Sequence, residues 1–83
     1  MDYPTAMTDK NPLDARGLLC PLPVLKLRKR LRTAAPGEVV ELWADDPAAV
    51  VDVRHFCAES GHEFVAMTER AGYNAFSVRK MPR

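Results

Sequence analysis

A two-layer α/β sandwich, with two helices on one face of a four-stranded mixed sheet in the order β-α-β-α-β-β, is the α+β fold this sequence predicts. Three observations lead there. The chain has 83 residues, 47% hydrophobic and 28% charged, which fits one globular domain with a thin core. Two segments carry a single apolar stripe at helix spacing, so each helix buries one side only. The strand-like segments alternate apolar and polar residues, which gives the sheet one covered face and one open face. Residues 1–11 read as a flexible leader and residues 12–83 as a single domain.

The elements follow in order. Leu13 to Arg16 is a short first strand running into Gly17. From Pro21 the pattern turns helical, with Val24, Leu27 and Leu31 on one stripe and Leu25 alongside. Thr33 to Gly37, T-A-A-P-G, ends that helix and turns the chain. Glu38 to Ala44 is rich in β-branched and aromatic residues, as a strand requires. Val40, Leu42 and Ala44 share one face of it, and Val39, Glu41 and Trp43 the other. Asp46 is expected to cap a second helix, with Pro47 at its first position. Ala49, Val53, Phe56 and Cys57 form its buried stripe, and Gly61 suits the residue just past its end. His62 to Thr68 and Tyr73 to Lys80 read as two strands of a hairpin turning at E-R-A-G.

The chemistry is expected at L-L-C-P-L-P-V-L, residues 18–25. With Pro21 at the first helical position, its missing N–H is no loss and its ring presets the helix. Pro21 also pushes Cys20 toward the extended angles of an N-cap residue, and Pro23 falls within the same unpaired first turn. The two prolines therefore start the helix. A helix amino end carries about half a positive charge, which favours thiolate over thiol. A free cysteine has a pKa of ~8.5, so this field, with Arg16 and Lys26 nearby, is expected to make Cys20 reactive. The alternative is a buried thiol that merely precedes a helix. Cys57, on the apolar stripe beside Phe56, is read as that kind of core thiol.

Composition excludes several classes. The net charge of +1 gives no overall attraction to nucleic acid or membrane. No apolar run approaches the ~20 residues that span a bilayer, and the polar amino terminus does not read as a signal peptide. A cytoplasmic location is expected. Two cysteines without a C-x-x-C pair give no disulfide framework, so both are expected as free thiols.

Taken together, L-D-A-R-G-L-L-C-P-L-P, P-G-E, A-D-D-P-A, F-C and V-R-K resemble the TusA/SirA family of small sulfur carriers, in order and from about Leu13 to Lys80. The resemblance implies the same β-α-β-α-β-β sandwich. It implies that the cysteine of C-P-x-P, here Cys20, holds sulfane sulfur as a persulfide. The sulfur would come from a cysteine desulfurase or a rhodanese-type donor and pass to an acceptor cysteine on another sulfur-relay protein. Transfer RNA 2-thiolation, molybdenum cofactor assembly and sulfur oxidation are outlets in the family. Arg16 and Gly17 would shape the approach to the thiol. Such a relay needs no metal or organic cofactor, and the carrier is expected to act as a monomer. It is regenerated rather than turning over a small molecule, so sulfurtransferase describes it better than enzyme in the ordinary sense. Exchange of this kind is fastest when the attacking thiol's pKa lies near ambient pH.

The first helix is strongly basic, with Lys26, Arg28, Lys29, Arg30 and Arg32. Lys26, Lys29 and Arg30 are read as a docking face for an acidic partner, against the plainer reading of a solvated helix side. Direct RNA binding and a thiol redox switch at Cys20 are the alternatives. No Gly-rich phosphate loop or aromatic ladder supports the first, and no nearby resolving thiol supports the second. Trp43 is expected on the open sheet face or packed at its edge. Asp45 has no role the sequence can name. His55, Cys57 and His62 are spaced too irregularly for a metal site.

Overall fold

The computed structural model describes residues 11–82; the expected leader lies outside the described residues, apart from Asn11. Along the chain run β1 (Leu13–Asp14), α1 (Leu22–Thr33), β2 (Val39–Ala44), α2 (Ala49–Ser60), β3 (Glu63–Arg70) and β4 (Tyr73–Arg79). The sheet order is β1-β2-β4-β3, with β1 parallel to β2 and the other two pairs antiparallel. This is the expected mixed sheet. Its register sets Leu13 against Leu42, Leu42 against Phe76 and Phe76 against Met67, one apolar row across all four strands. A bulge at Phe64 and Ala66 breaks the β3–β4 ladder.

The core lies between this row and the helices. Leu27 and Leu31 of α1 and Val53, Phe56 and Cys57 of α2 join Val40, Leu42, Phe76 and Val78 in one cluster. Burying a side chain of this size stabilises the fold by about 1.5–3 kcal/mol before conformational entropy is subtracted. The β2 alternation is as expected, with Val40, Leu42 and Ala44 buried and Val39, Glu41 and Trp43 toward the open face. Two details of α1 differ. Leu25, expected alongside the stripe, is 45% exposed, while Pro23 is fully buried and begins the stripe. Buried residues at 23, 27 and 31 recur every four positions, so Leu25, two residues from both Pro23 and Leu27, falls on the opposite side of the helix.

Gly61 closes α2 as expected, with a left-handed φ of 85° and its N–H donated to the Cys57 carbonyl at 2.9 Å. That φ costs an L side chain, which is why glycine fits there. β1 is shorter than expected and β3 runs two residues further, to Arg70, so the hairpin turns at Ala71-Gly72. No described helix is long and apolar enough to cross a membrane.

Candidate functional site

The segment between β1 and α1 hangs on the end of β2. Ala15 N–H donates to the Trp43 carbonyl at 2.8 Å. Gly17 N–H then reaches both carboxylate oxygens of Asp45 at 3.0 Å, and Cys20 N–H donates to Asp46 Oδ2 at 2.7 Å. Gly17 has a φ of 83°, a conformation that suits glycine and turns the chain toward Asp45. So the A-D-D-P-A stretch anchors the cysteine loop across 26 and 28 residues of sequence. This gives Asp45 the role the sequence could not name. It also gives Asp46 a second one, because its Oδ1 accepts the Ala48 N–H at 3.0 Å.

Both helix starts are displaced from expectation. The Leu22 N–H is donated to the Leu19 carbonyl at 2.8 Å, which closes a turn around Cys20 and Pro21 before α1 begins. Pro21, with φ −100° and ψ 16°, is therefore the N-cap residue, not the first helical one. Its carbonyl accepts the first intrahelical bond, from Leu25 N–H at 3.1 Å. Pro23 moves with it to the second helical position, and Cys20 lies one residue outside the cap. The Cys20-Pro21 peptide bond is cis. At α2, a single turn over Asp46 to Val50 precedes the helix, so Asp46 caps that turn and Ala48 occupies the N-cap.

Cys20 is exposed and Cys57 is buried, as expected of each. The Cys20 sulfur opens into a groove of about 320 Å³ between the helices. Pro21, Val24 and Arg28 form its α1 wall, and Asp52, His55, Phe56 and Glu59 its α2 wall. Both sets recur at helix spacing, so each is one face of its helix.

The expected thiolate is corrected here. A hydrogen bond to the Asp52 carboxylate, and then partial desolvation and the charges of Asp52 and Asp46, push the Cys20 thiol above its ordinary range. The physical reason lies in the helix end itself. The positive pole of a helix is its unpaired N–H groups. At α1 those of residues 21 and 23 are absent and that of Leu22 is already given to Leu19. Two carboxylates then outweigh what remains of the pole. Burial also pushes the Cys57 thiol up.

The expected cations fall elsewhere. Arg16 forms a two-bonded pair with Asp14, both contacts at 2.9 Å, which holds the Asp14 carboxyl down at about 2. Its guanidinium lies 4.9 Å from the Trp43 ring centre and 5.0 Å from that of Tyr73. Arg16 thus belongs to the open sheet face, together with Trp43, whose indole N–H donates to Glu41 at 2.7 Å. Lys26, Lys29 and Arg30 line a separate hollow with Leu13 and Thr33, on the β1 side of α1. The cation in the thiol groove is Arg28, 6.0 Å over the Phe56 ring. The sequence held a signal for it, because positions 21, 24 and 28 share a helix face. Asp52 gave none, since its approach to Cys20 depends on how α1 and α2 pack.

His55 lies 3.7 Å from Glu59 on the surface of α2, and His62 Nδ1 accepts the Met81 N–H at 3.1 Å. Among the described residues no three His, Cys, Asp or Glu side chains come together as a metal site.

Comparisons with known proteins bear on the family and the fold. A family model described as sulfurtransferase TusA matches residues 11–80. The sulfur carrier protein TusA of Pseudomonas paraeruginosa is 43% identical over 68 residues, covering 82% of this chain and 86% of that protein. The sulfur carrier protein TusA of Pseudomonas fluorescens is 38% identical over 80 residues, 96% of each chain. The crystal structure of a SirA-like protein from Desulfitobacterium hafniense superposes with a TM-score of 0.74. It is 22% identical, with 86% of this chain and 97% of that one covered, and supports the fold.

Proposed function

The chain belongs to the TusA family of sulfurtransferases, and on that premise we propose that Cys20 is the atom on which it carries sulfur. The observation behind this reading is an exposed thiol at the mouth of an open groove, on a backbone tied to β2 through Gly17 and Cys20. A carrier sulfur has to enter the sites of two different proteins, and an exposed but fixed loop meets both needs.

The exchange balances without an oxidant. The Cys20 sulfur attacks the outer sulfur of a donor persulfide, a new S–S bond forms, and the donor's S–S bond breaks. The donor thiolate leaves and takes up the proton that Cys20 gives up. An acceptor thiol then repeats the step on the Cys20 persulfide. Cys57, buried in the core, is out of reach as a resolving thiol. That protects the cargo, because an internal attack would expel the outer sulfur and close a disulfide.

A cysteine desulfurase or rhodanese-type protein is the proposed donor, and a cysteine of a further relay protein the acceptor. The carrier unit is residues 12–83, acting as a monomer in the cytoplasm. Arg28 in the groove is the proposed first docking charge, with Lys26, Lys29 and Arg30 steering an acidic partner from the adjacent side of α1.

The test is intact mass after incubation with a cysteine desulfurase and cysteine. Gain of the mass of one sulfur atom, reversed by dithiothreitol and absent in Cys20→Ser, is expected. An adduct that persists in Cys20→Ser, or none in the unaltered protein, would overturn the assignment.

A further inference from the structure

Asp52 stands across the groove from Cys20. It lies half-buried in the first turn of α2, a helix amino end that favours a negative charge there. Its carboxylate lines the same groove as Cys20, and its acceptor oxygens and charge raise the thiol. The other charged or titratable groups facing this space are Asp46, beneath the loop, His55 and Glu59 of α2, and Arg28 of α1. Resting on the reading of Cys20 as the carrier sulfur, we propose that Asp52 is a positioning residue that biases the carrier toward giving its sulfur away. It holds the empty carrier as a hydrogen-bonded thiol and opposes the negative charge of the loaded one.

The two states differ at that carboxylate. In the empty carrier Sγ bears a proton, which Asp52 accepts. In the loaded carrier Sγ is bonded to sulfur and has no proton to offer. Hydropersulfides are stronger acids than thiols, so the outer sulfur is an anion at neutral pH. An anion held beside a carboxylate is destabilised, and a hydrogen bond that formerly offset desolvation is gone.

The loaded persulfide anion and an acceptor thiol give the Cys20 thiol and an acceptor persulfide anion. The acceptor sulfur bonds to the outer sulfur, and the Cys20 S–S bond breaks with its electron pair left on Sγ. The acceptor's proton ends on Sγ, facing Asp52. Charge is the same on both sides, so Asp52 acts only through where that charge sits.

The experiment equilibrates the whole chain with glutathione and glutathione persulfide at neutral pH and reads loaded and empty protein by intact mass. Asp52→Asn keeps the shape and removes the charge. Its ratio of loaded to empty carrier is expected to rise roughly three- to tenfold, tenfold corresponding to one pKa unit at the thiol. The alkylation profile of Cys20 in the variant should also move to lower pH while buried Cys57 stays protected from the reagent, which a loss of fold would not allow. Asp52→Ala, expected to shift both readings the same way, serves if the asparagine variant folds poorly. The proposal requires both shifts, and an unchanged or lowered ratio, or an unmoved profile, overturns it while leaving the carrier reading intact. If the unaltered protein and the variants all take up no sulfur at Cys20, the carrier reading fails first and the bias with it.

Discussion

The two helices begin in opposite ways, and Cys20 lies between their beginnings. At α1 the first turn is made by rings. Pro21 caps it, Pro23 follows, no acid lies in the first turn, and no side chain caps it. At α2 the approach is made by carboxylates, with Asp46 on the Ala48 N–H and Asp52 in the first turn. The thiol precedes α1 in sequence yet takes its electrostatics from α2. A cysteine before a helix becomes a thiolate only if that helix still has N–H groups to offer. Here the prolines fix the path of the loop and remove the field that a bare helix end would supply.

Putting an N–H back into α1 should break this difference most strongly. Pro23→Ala restores a donor at the second helical position and should move Cys20 alkylation to lower pH. It also removes part of a fully buried ring, costing roughly 1–2 kcal/mol at about 0.8 kcal/mol per buried CH₂. Urea unfolding and an alkylation titration of the same variant would separate the two effects.

Asp46→Ala attacks the other side. It leaves the Cys20 and Ala48 N–H groups without their acceptor, so a lower urea midpoint and faster amide exchange at both residues are expected. Asp46→Asn should do less, since its amide oxygen replaces one of the two acceptors.

Acid should expose the same contrast. The Asp46 carboxyl is held down by the Cys20 and Ala48 N–H groups, and Asp14 is held down to about 2 by Arg16. For a lowered carboxylate the stabilisation is present above its unfolded pKa of ~3.9 and is lost as pH falls through the folded value. Stability should therefore decline from about pH 4 toward pH 2, and Asp46→Asn should flatten part of that slope.

Charge changes on α1 should give smaller, salt-sensitive effects. Arg28→Glu is expected to slow sulfur transfer from a desulfurase several-fold at low salt, and Lys29→Glu less, because only Arg28 lines the thiol groove. Equal effects would argue for general steering. The smallest change belongs to Arg16→Gln. Trp43 fluorescence should shift because the cation leaves its ring, while the Cys20 alkylation profile stays in place.

The sequence carried the fold because its signals were local. Alternation at Val40, Leu42 and Ala44, the α2 stripe and the Gly61 stop each need only their own neighbours to be read. The exposed place of Cys20 before α1 was legible for the same reason, since C-P-L-P marks a chain stop and a helix start together. Its electrostatics were not. The Cys20–Asp52 contact spans two helices, the Gly17–Asp45 bond spans 28 residues, and the removal of Arg16 to Trp43 and Tyr73 depends on sheet register. The one-residue shift at Pro21 came from a backbone turn, Leu19 to Leu22, that leaves no pattern in side-chain types.

The pH dependence of Cys20 alkylation by iodoacetamide, followed by peptide mass so that buried Cys57 does not contribute, tests the central claim most directly. The account predicts a midpoint above the ~8.5 of a free cysteine, falling when Asp52 becomes Asn. A midpoint at or below the free thiol's in the unaltered protein would contradict it, and would return the charge of Cys20 to the amino end of α1.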